Sequence, residues 1–402
     1  MASVCIGLWV GVGSRYEPPA VNGICHFIEH LLFKGTRKRS AREISEAIEG
    51  VGGSLNAFTG EESTCYYARV SHERLPEVFD VLADMLMNSR FLPAEIDRER
   101  NVIKEEIAMY SDEPQHLVQE ILNEILWPGQ ALGRPITGSA ETLDHITRRR
   151  LLDYLGRNYV SQNTTVVVAG NVTHQQVLRL VAKYSRHFKT GARPVCGPAQ
   201  TSQNRPVVRL FTKNTEQTQV ALGIRTTSRH DESRYALRLL NVILGENMSS
   251  RLFQVVREEH GLAYSIYSSP SFFQDTGDLV ISVGLDTNHL RKALRLIMRE
   301  IRRCAETAPS AAELRRARDY VLGQIDLGRE NTETQMNWIG EQLIGYGRIF
   351  SIDEIKRRLR ALVPGDIRAV AREYFRPERL NLAIVSPLQR DRGLESLLRA
   401  LN

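Results

Sequence analysis

The second half of this 402-residue chain repeats the first, and that constrains its fold more than any other feature. Ala221-Leu222-Gly223-Ile224 followed by Ser228-Arg229 echoes Ile6-Gly7-Leu8 followed by Ser14-Arg15. Further on, Arg372-Glu373-Tyr374 and a strand at 382–386 echo Arg157-Asn158-Tyr159 and a strand at 164–170. The echoes are offset by 214 and 215 residues, so they describe one duplication at the scale of a domain. Between the copies, residues 188–206 are rich in Gly, Pro, Ser and Thr and have no hydrophobic period, which reads as a linker. Two domains are therefore expected, 1–187 and 207–402.

Within the first copy, strands and helices alternate. Residues 4–12, 54–59, 63–70 and 164–170 have strand character. Helices are expected at 25–33, 40–51, 71–88, 95–110, 116–126, 147–159 and 175–187. The helix at 40–51 opens on Ser40 with Glu43 three residues on, a capping-box pattern, and stops at Gly52-Gly53.

The helix at 25–33 carries His26-Phe27-Ile28-Glu29-His30, an H-x-x-E-H motif. At helical periodicity His26 and His30 lie about 40° apart, on one face, close enough to share a metal. Glu29 lies about 60° from His26 on that face, where a carboxylate can reach a metal-bound water without ligating. Two neutral imidazoles suit Zn²⁺, and a catalytic zinc needs a third protein ligand and an open position. The order is the mirror of H-E-x-x-H. The third ligand is sought on the helix at 95–110, which offers Glu95, Glu99, Glu105 and Glu106. Glu99 and Glu106 stand seven apart, two turns along one face. In the second copy the positions facing the motif fall in Leu240-Asn241-Val242-Ile243-Leu244, so the repeat has lost the metal residues.

Composition narrows the classes. A 42% hydrophobic and 25% charged chain with no apolar run of about 18 residues carries no transmembrane helix, and no membrane partner is expected. A net charge of +6 with basic clusters at Arg37-Lys38-Arg39 and Arg148-Arg149-Arg150 lacks interleaved aromatics, so nucleic acid is not expected either. Five scattered cysteines without a C-x-x-C pair point to free thiols in a reducing compartment. The apolar N-terminus has no basic n-region to make it a signal peptide, and a cytoplasmic location is expected.

H-F-I-E-H followed by L-L-F-K-G-T, then G-G-S-L-N-A-F-T-G-E-E-S-T-C-Y-Y and E-R-N-V-I-K-E-E-I, resembles the pitrilysin/insulinase family of zinc metallopeptidases. The likeness is to its short-chain branch, with the mitochondrial processing peptidase and bacterial relatives, and it covers nearly the whole chain. It implies an α+β fold: two duplicated αβ domains, each a mostly antiparallel sheet with helices packed on it, forming half of a clamshell. It implies one Zn²⁺ per chain, and its distal glutamate, 76 residues past His30, selects Glu106 over Glu105. Glu99 then matches the glutamate that supports the site from behind. The second domain is expected to supply Arg257 and Tyr264 to the substrate, again seven residues apart.

The activity implied is endopeptidase cleavage of extended peptides or presequences. Glu29 would act as general base and then protonate the leaving amine. The Tyr264 hydroxyl would stabilise the oxyanion, and Arg257 would hold a substrate carbonyl. The peptide would add as a strand to an edge at 54–59, against Asn56, Ala57 and Phe58. A homodimer, or a heterodimer with a related chain, is implied as well. The alternative is a non-catalytic structural or partner subunit on the same scaffold; such subunits typically lose part of the motif, which stands intact here. Family members carry further residues ahead of the strand at 4–12, whereas Met1 falls almost on it. The first sheet is therefore expected to be short of strands, with one edge uncovered.

Overall fold

The computed structural model describes residues 2–391 and 393–399; the expectation about Met1 lies outside them. Nine strands are described: β1 (Ser3–Val10), β2 (Ser54–Thr59), β3 (Thr64–Ser71), β4 (Thr164–Gly170), β5 (Val207–Thr212), β6 (Thr218–Thr226), β7 (Ala263–Phe272), β8 (Gly277–Leu285) and β9 (Leu380–Ser386). Five helices of the first half matter below: α1 (Ile24–Leu32), α2 (Ala41–Glu49), α3 (Leu75–Asn88), α4 (Pro93–Asp112) and α5 (Pro114–Leu126). Ser40 caps α2 in the expected reciprocal capping box with Glu43.

Among the described residues the first sheet runs β2-β3-β1-β4, all antiparallel. The second runs β7-β8-β6-β9-β5, with only β5 pairing parallel, to β9. Strand for strand the first four positions correspond, which is the duplication seen in sequence. The second sheet has one strand more among the described residues, and β4 and β2 are the edges of the first. The fold is thus α+β, two copies of a mostly antiparallel sheet with helices packed on it.

The compact units are not the continuous halves 1–187 and 207–402. One comprises Met1–Met109, Arg134–Gly197 and Asp326–Ile349; the other comprises Tyr110–Gly133, Pro198–Ile325 and Phe350–Asn402. Each central strand explains why. β1 is buried along almost its whole length, so both faces need cover. Val4, Ile6, Leu8 and Val10 face a core built with α1, α2 and α3. Cys5 and Trp9 point the other way, onto Met336 of the helix Thr332–Tyr346. In the second unit Val220, Leu222 and Ile224 of β6 face its main core, while Ala221 meets Val118, Leu122 and Leu126 of α5. A strand alternates its side chains, so each sheet needs a second helical layer. The first-half helix α5 covers the second sheet, and the second-half helix Thr332–Tyr346 covers the first. The segment 188–206 is divided between the units at Gly197/Pro198 rather than lying outside them.

Candidate metal centre

Everything at the centre depends on how α1 begins. Glu17, buried ahead of the helix, accepts hydrogen bonds from the backbone N–H of Gly23 at 2.7 Å and of Cys25 at 2.8 Å. It also accepts from the Asn22 side chain at 2.8 Å. Two orphan donors of the first turn are thereby satisfied, and a negative group sits at the positive end of the helix dipole. Burial still pushes the Glu17 carboxyl above its ordinary range, against those hydrogen bonds. Gly23 starts the helix at φ +94°, and a Cβ there would stand 2.5 Å from the Thr137 carbonyl oxygen, so the position is restricted to glycine. Cys25 is a buried thiol 3.2 Å from the Tyr154 hydroxyl, and all five cysteines are free.

One turn on, His26 and His30 face α4. The ligand atoms of His26, His30 and Glu106 all lie within 4.8 Å of one another. Glu106 Oε2 is 3.8 Å from His26 Nε2 and 3.7 Å from His30 Nε2. Those separations are too long for hydrogen bonds. They suit three atoms that share a common centre, since ligands about 2 Å from a tetrahedral zinc sit roughly 3.3 Å apart. The donor set fits zinc chemically: two imidazoles and one carboxylate. Burial, with His30 adding to it and Glu106 opposing, lowers the His26 pKa to about 4, which keeps that imidazole neutral as a ligand must be. His26 Nδ1 is a buried nitrogen without a hydrogen-bond partner among the described residues.

Glu105, on the next position of α4, is exposed, and Glu95 is paired with Arg98. Glu99 is buried, with Oε2 3.2 Å from His30 Nδ1 and Oε1 2.8 Å from Lys34 Nζ. Its contact fixes which nitrogen of His30 is left for a metal, namely Nε2. Glu29 sits on the same turn as His30, and the Thr59 hydroxyl donates to its Oε2 at 2.5 Å. Burial raises the Glu29 pKa above its ordinary value, partly offset by Thr59 and His30. A carboxylate so raised is moved toward the range useful to a general base.

Asn56, Ala57 and Phe58 lie on β2, an edge of the first sheet. Alternation turns Leu55 and Ala57 toward the core beneath α1, while Phe58 packs edge-on against Trp9 on the opposite face. Arg257 and Tyr264 belong to the second unit. Arg257 lies in a π-helical stretch, Phe253–Glu259, and its guanidinium stands 5.9 Å from the Tyr264 ring centroid. Tyr264 is 75% exposed at the start of β7, itself a sheet edge. Sequence reasoning missed Lys34 and Thr59. In both cases the partner comes from another element: Glu99 of α4 for Lys34, and Glu29 of α1 for Thr59.

The fold and the site together define a duplicated αβ protein with a two-histidine, one-glutamate centre on its first copy. The sequence profile of insulinase (peptidase family M16) matches residues 1–140, and that of the peptidase M16 inactive domain matches residues 145–321. An "uncharacterized zinc protease" of Streptomyces coelicolor is 41% identical over 395 residues, 96% of this chain and 85% of that one. The "uncharacterized zinc protease YmxG" of Bacillus subtilis is 37% identical over 385 residues, 96% of this chain and 93% of its own length. This chain belongs to the M16, or insulinase, family of peptidases. Two solved structures share the fold at low identity. A protease from Helicobacter pylori superposes with a TM-score of 0.89 at 21% identity, over 96% of this chain and 94% of that one. A chain of the Candida albicans complex III dimer gives 0.84 at 17%, over 99% and 94%.

Proposed function

We infer that the protein is a zinc-dependent endopeptidase acting on extended peptides. The observation that carries this reading is the convergence of His26, His30 and Glu106, with the half-buried Glu29, its carboxyl raised above the ordinary value by desolvation, on the same helical turn. His26 Nε2, His30 Nε2 and a Glu106 oxygen would hold one zinc. Bound zinc would supply Lewis acidity and a water whose pKa falls to about 7. Glu29 takes the proton of the attacking water on its Oε1, while Oε2 stays fixed by Thr59. It then delivers that proton to the leaving amine. The names of the Streptomyces and Bacillus relatives support the same reading.

The edge position of β2 supports a peptide added as a strand beside Asn56, Ala57 and Phe58, because its outer backbone groups face no other strand among the described residues. Arg257 and Tyr264 are proposed as substrate-contacting residues of the second unit, with the Tyr264 hydroxyl donating to the developing oxyanion. Arg257→Ala and Tyr264→Phe should lower kcat/KM with zinc content unchanged; altered zinc content would remove them from that role.

The deciding experiment pairs metal analysis of the purified chain with digestion of a peptide library. One zinc per chain and cleavage that stops on chelation support the proposal. Zinc without cleavage of any peptide favours a partner or structural subunit on this scaffold, and a chain without zinc overturns the reading.

A further inference from the structure

Behind the ligands lies a chain of contacts that runs from His30 to a lysine. Glu99 is only 2% exposed, so its carboxylate has left water almost completely. Stranding a charge that way is strongly unfavourable unless partners replace the solvent. Two partners are present: His30 Nδ1 at 3.2 Å and Lys34 Nζ at 2.8 Å, each on a different carboxylate oxygen. Of these, a neutral His30 can give one N–H and no charge. The compensating charge at Glu99 is therefore that of Lys34.

We propose that Lys34 is a positioning residue for the metal centre, holding Glu99 so that it accepts from His30 Nδ1–H and leaves His30 Nε2 for the metal. The inference rests on the zinc reading of that site. The rival view is an ordinary surface ion pair, which water screens to little effect. Lys34 is indeed 33% exposed along its side chain, but its partner is not, and an ion pair with one buried member behaves differently from one with two solvated members. The backbone around Lys34 is pinned as well. Its N–H reaches the Leu31 carbonyl at 3.1 Å, and Gly35 turns at φ +105° directly after it. Thr36 is then anchored to the buried Asp84 at 2.6 Å. The lysine is thus delivered to Glu99 from a fixed stem. Without Lys34, Glu99 would keep one weak donor and lie on the same α4 face as Glu106, with like charge. Its hold on His30 would loosen although no ligand had been touched.

The test is zinc affinity measured by chelator competition on the full chain, without recourse to activity. Partners behind a ligand change metal affinity by about 10–100-fold when removed. Glu99→Gln should fall in that range, and Lys34→Met should weaken zinc by about tenfold. Because Lys34 acts through Glu99, the double variant should bind no more weakly than Glu99→Gln alone, and Lys34→Arg should restore most of the loss. A merely structural lysine would give additive losses and no rescue. Unchanged affinity in Lys34→Met, or additivity in the double variant, overturns the inference while the zinc reading stands. A wild-type chain that takes up no zinc overturns the zinc reading and this inference with it.

Discussion

Thr59, the last residue of the edge strand β2, donates its hydroxyl to the Glu29 carboxylate on α1 at 2.5 Å. The strand proposed to receive the peptide is thereby tied to the group proposed as base. The alternation of β2 makes this possible: with Leu55 and Ala57 turned toward α1, Thr59 shares their face.

Glu29→Gln should keep zinc and lose peptide cleavage by about 10²–10⁴-fold, the usual contribution of general acid–base catalysis. Glutamine can still accept from Thr59 but cannot take a proton. Thr59→Val should lower kcat by about tenfold, the effect of losing one hydrogen bond to a charged group. Steady-state kinetics and metal analysis on each variant check both. Normal turnover in Glu29→Gln would remove it as base, and lost zinc would make it a ligand.

His26→Ala, His30→Ala and Glu106→Gln should each weaken zinc by more than the roughly 10–100-fold expected for a supporting residue. Glu105→Gln should leave affinity within about twofold, since Glu105 points some 100° from Glu106 on α4 and is exposed. Isothermal titration with zinc separates the four. If Glu105 proved to be the ligand, the register of α4 against α1 would be wrong.

Much of this was readable beforehand. Helical periodicity puts His26, Glu29 and His30 on one face, but the H-x-x-E-H motif and the resemblance singled them out. The duplication pointed to two related domains, and the second sheet carries one strand more among the described residues. Choosing Glu106 over Glu105 needed the resemblance, because both lie on one amphipathic helix and nothing local separates them. The exchange of α5 and Thr332–Tyr346 was not legible at all. An amphipathic pattern says that a helix needs an apolar face to lie on, not which one, and reading the chain as continuous halves assigned both helices to their neighbours in sequence. Thr59 and Lys34 escaped for a related reason: their roles exist only once β2 and α4 are packed on α1.

The Arg251–Glu313 pair gives a pH prediction remote from the metal centre. Arg251 holds Glu313 with two hydrogen bonds, at 2.9 and 3.1 Å, and the Ser310 N–H adds a third at 3.0 Å. Burial works against ionisation here, but Arg251 and Ser310 prevail and hold the Glu313 carboxyl below its ordinary 4.5. A pKa depressed on folding stabilises above the unfolded value and is lost as pH falls through the folded one. The wild type should therefore exceed Glu313→Gln in urea midpoint at neutral pH. That margin should hold down to about 4.5 and shrink below it. A margin independent of pH would mean that the pair contributes only packing.

Two glycines in helices should respond to the same substitution with opposite sign. Helix propensity favours alanine over glycine by about 1 kcal/mol at either position. Gly323 lies in the helix Ala311–Gly328, and a Cβ there would meet nothing within 4 Å. Gly323→Ala should therefore stabilise the protein by about 0.5–1 kcal/mol. Gly340 lies in the exchanged helix Thr332–Tyr346, where a Cβ would come within 2.1 Å of Cε2 of Trp9. That ring is 1% exposed and wedged between Phe58 and Met336, so it has no room to swing away. Forcing the helix off the sheet costs about 1–3 kcal/mol, which outweighs the propensity gain. Gly340→Ala should lower stability and Gly340→Leu should lower it further, while Gly323→Ala raises it. Denaturant unfolding of the three variants checks the signs. A stabilised Gly340→Ala would mean that Thr332–Tyr346 does not lie on the first sheet as closely as the structure has it, and that the second face of β1 is covered in some other way.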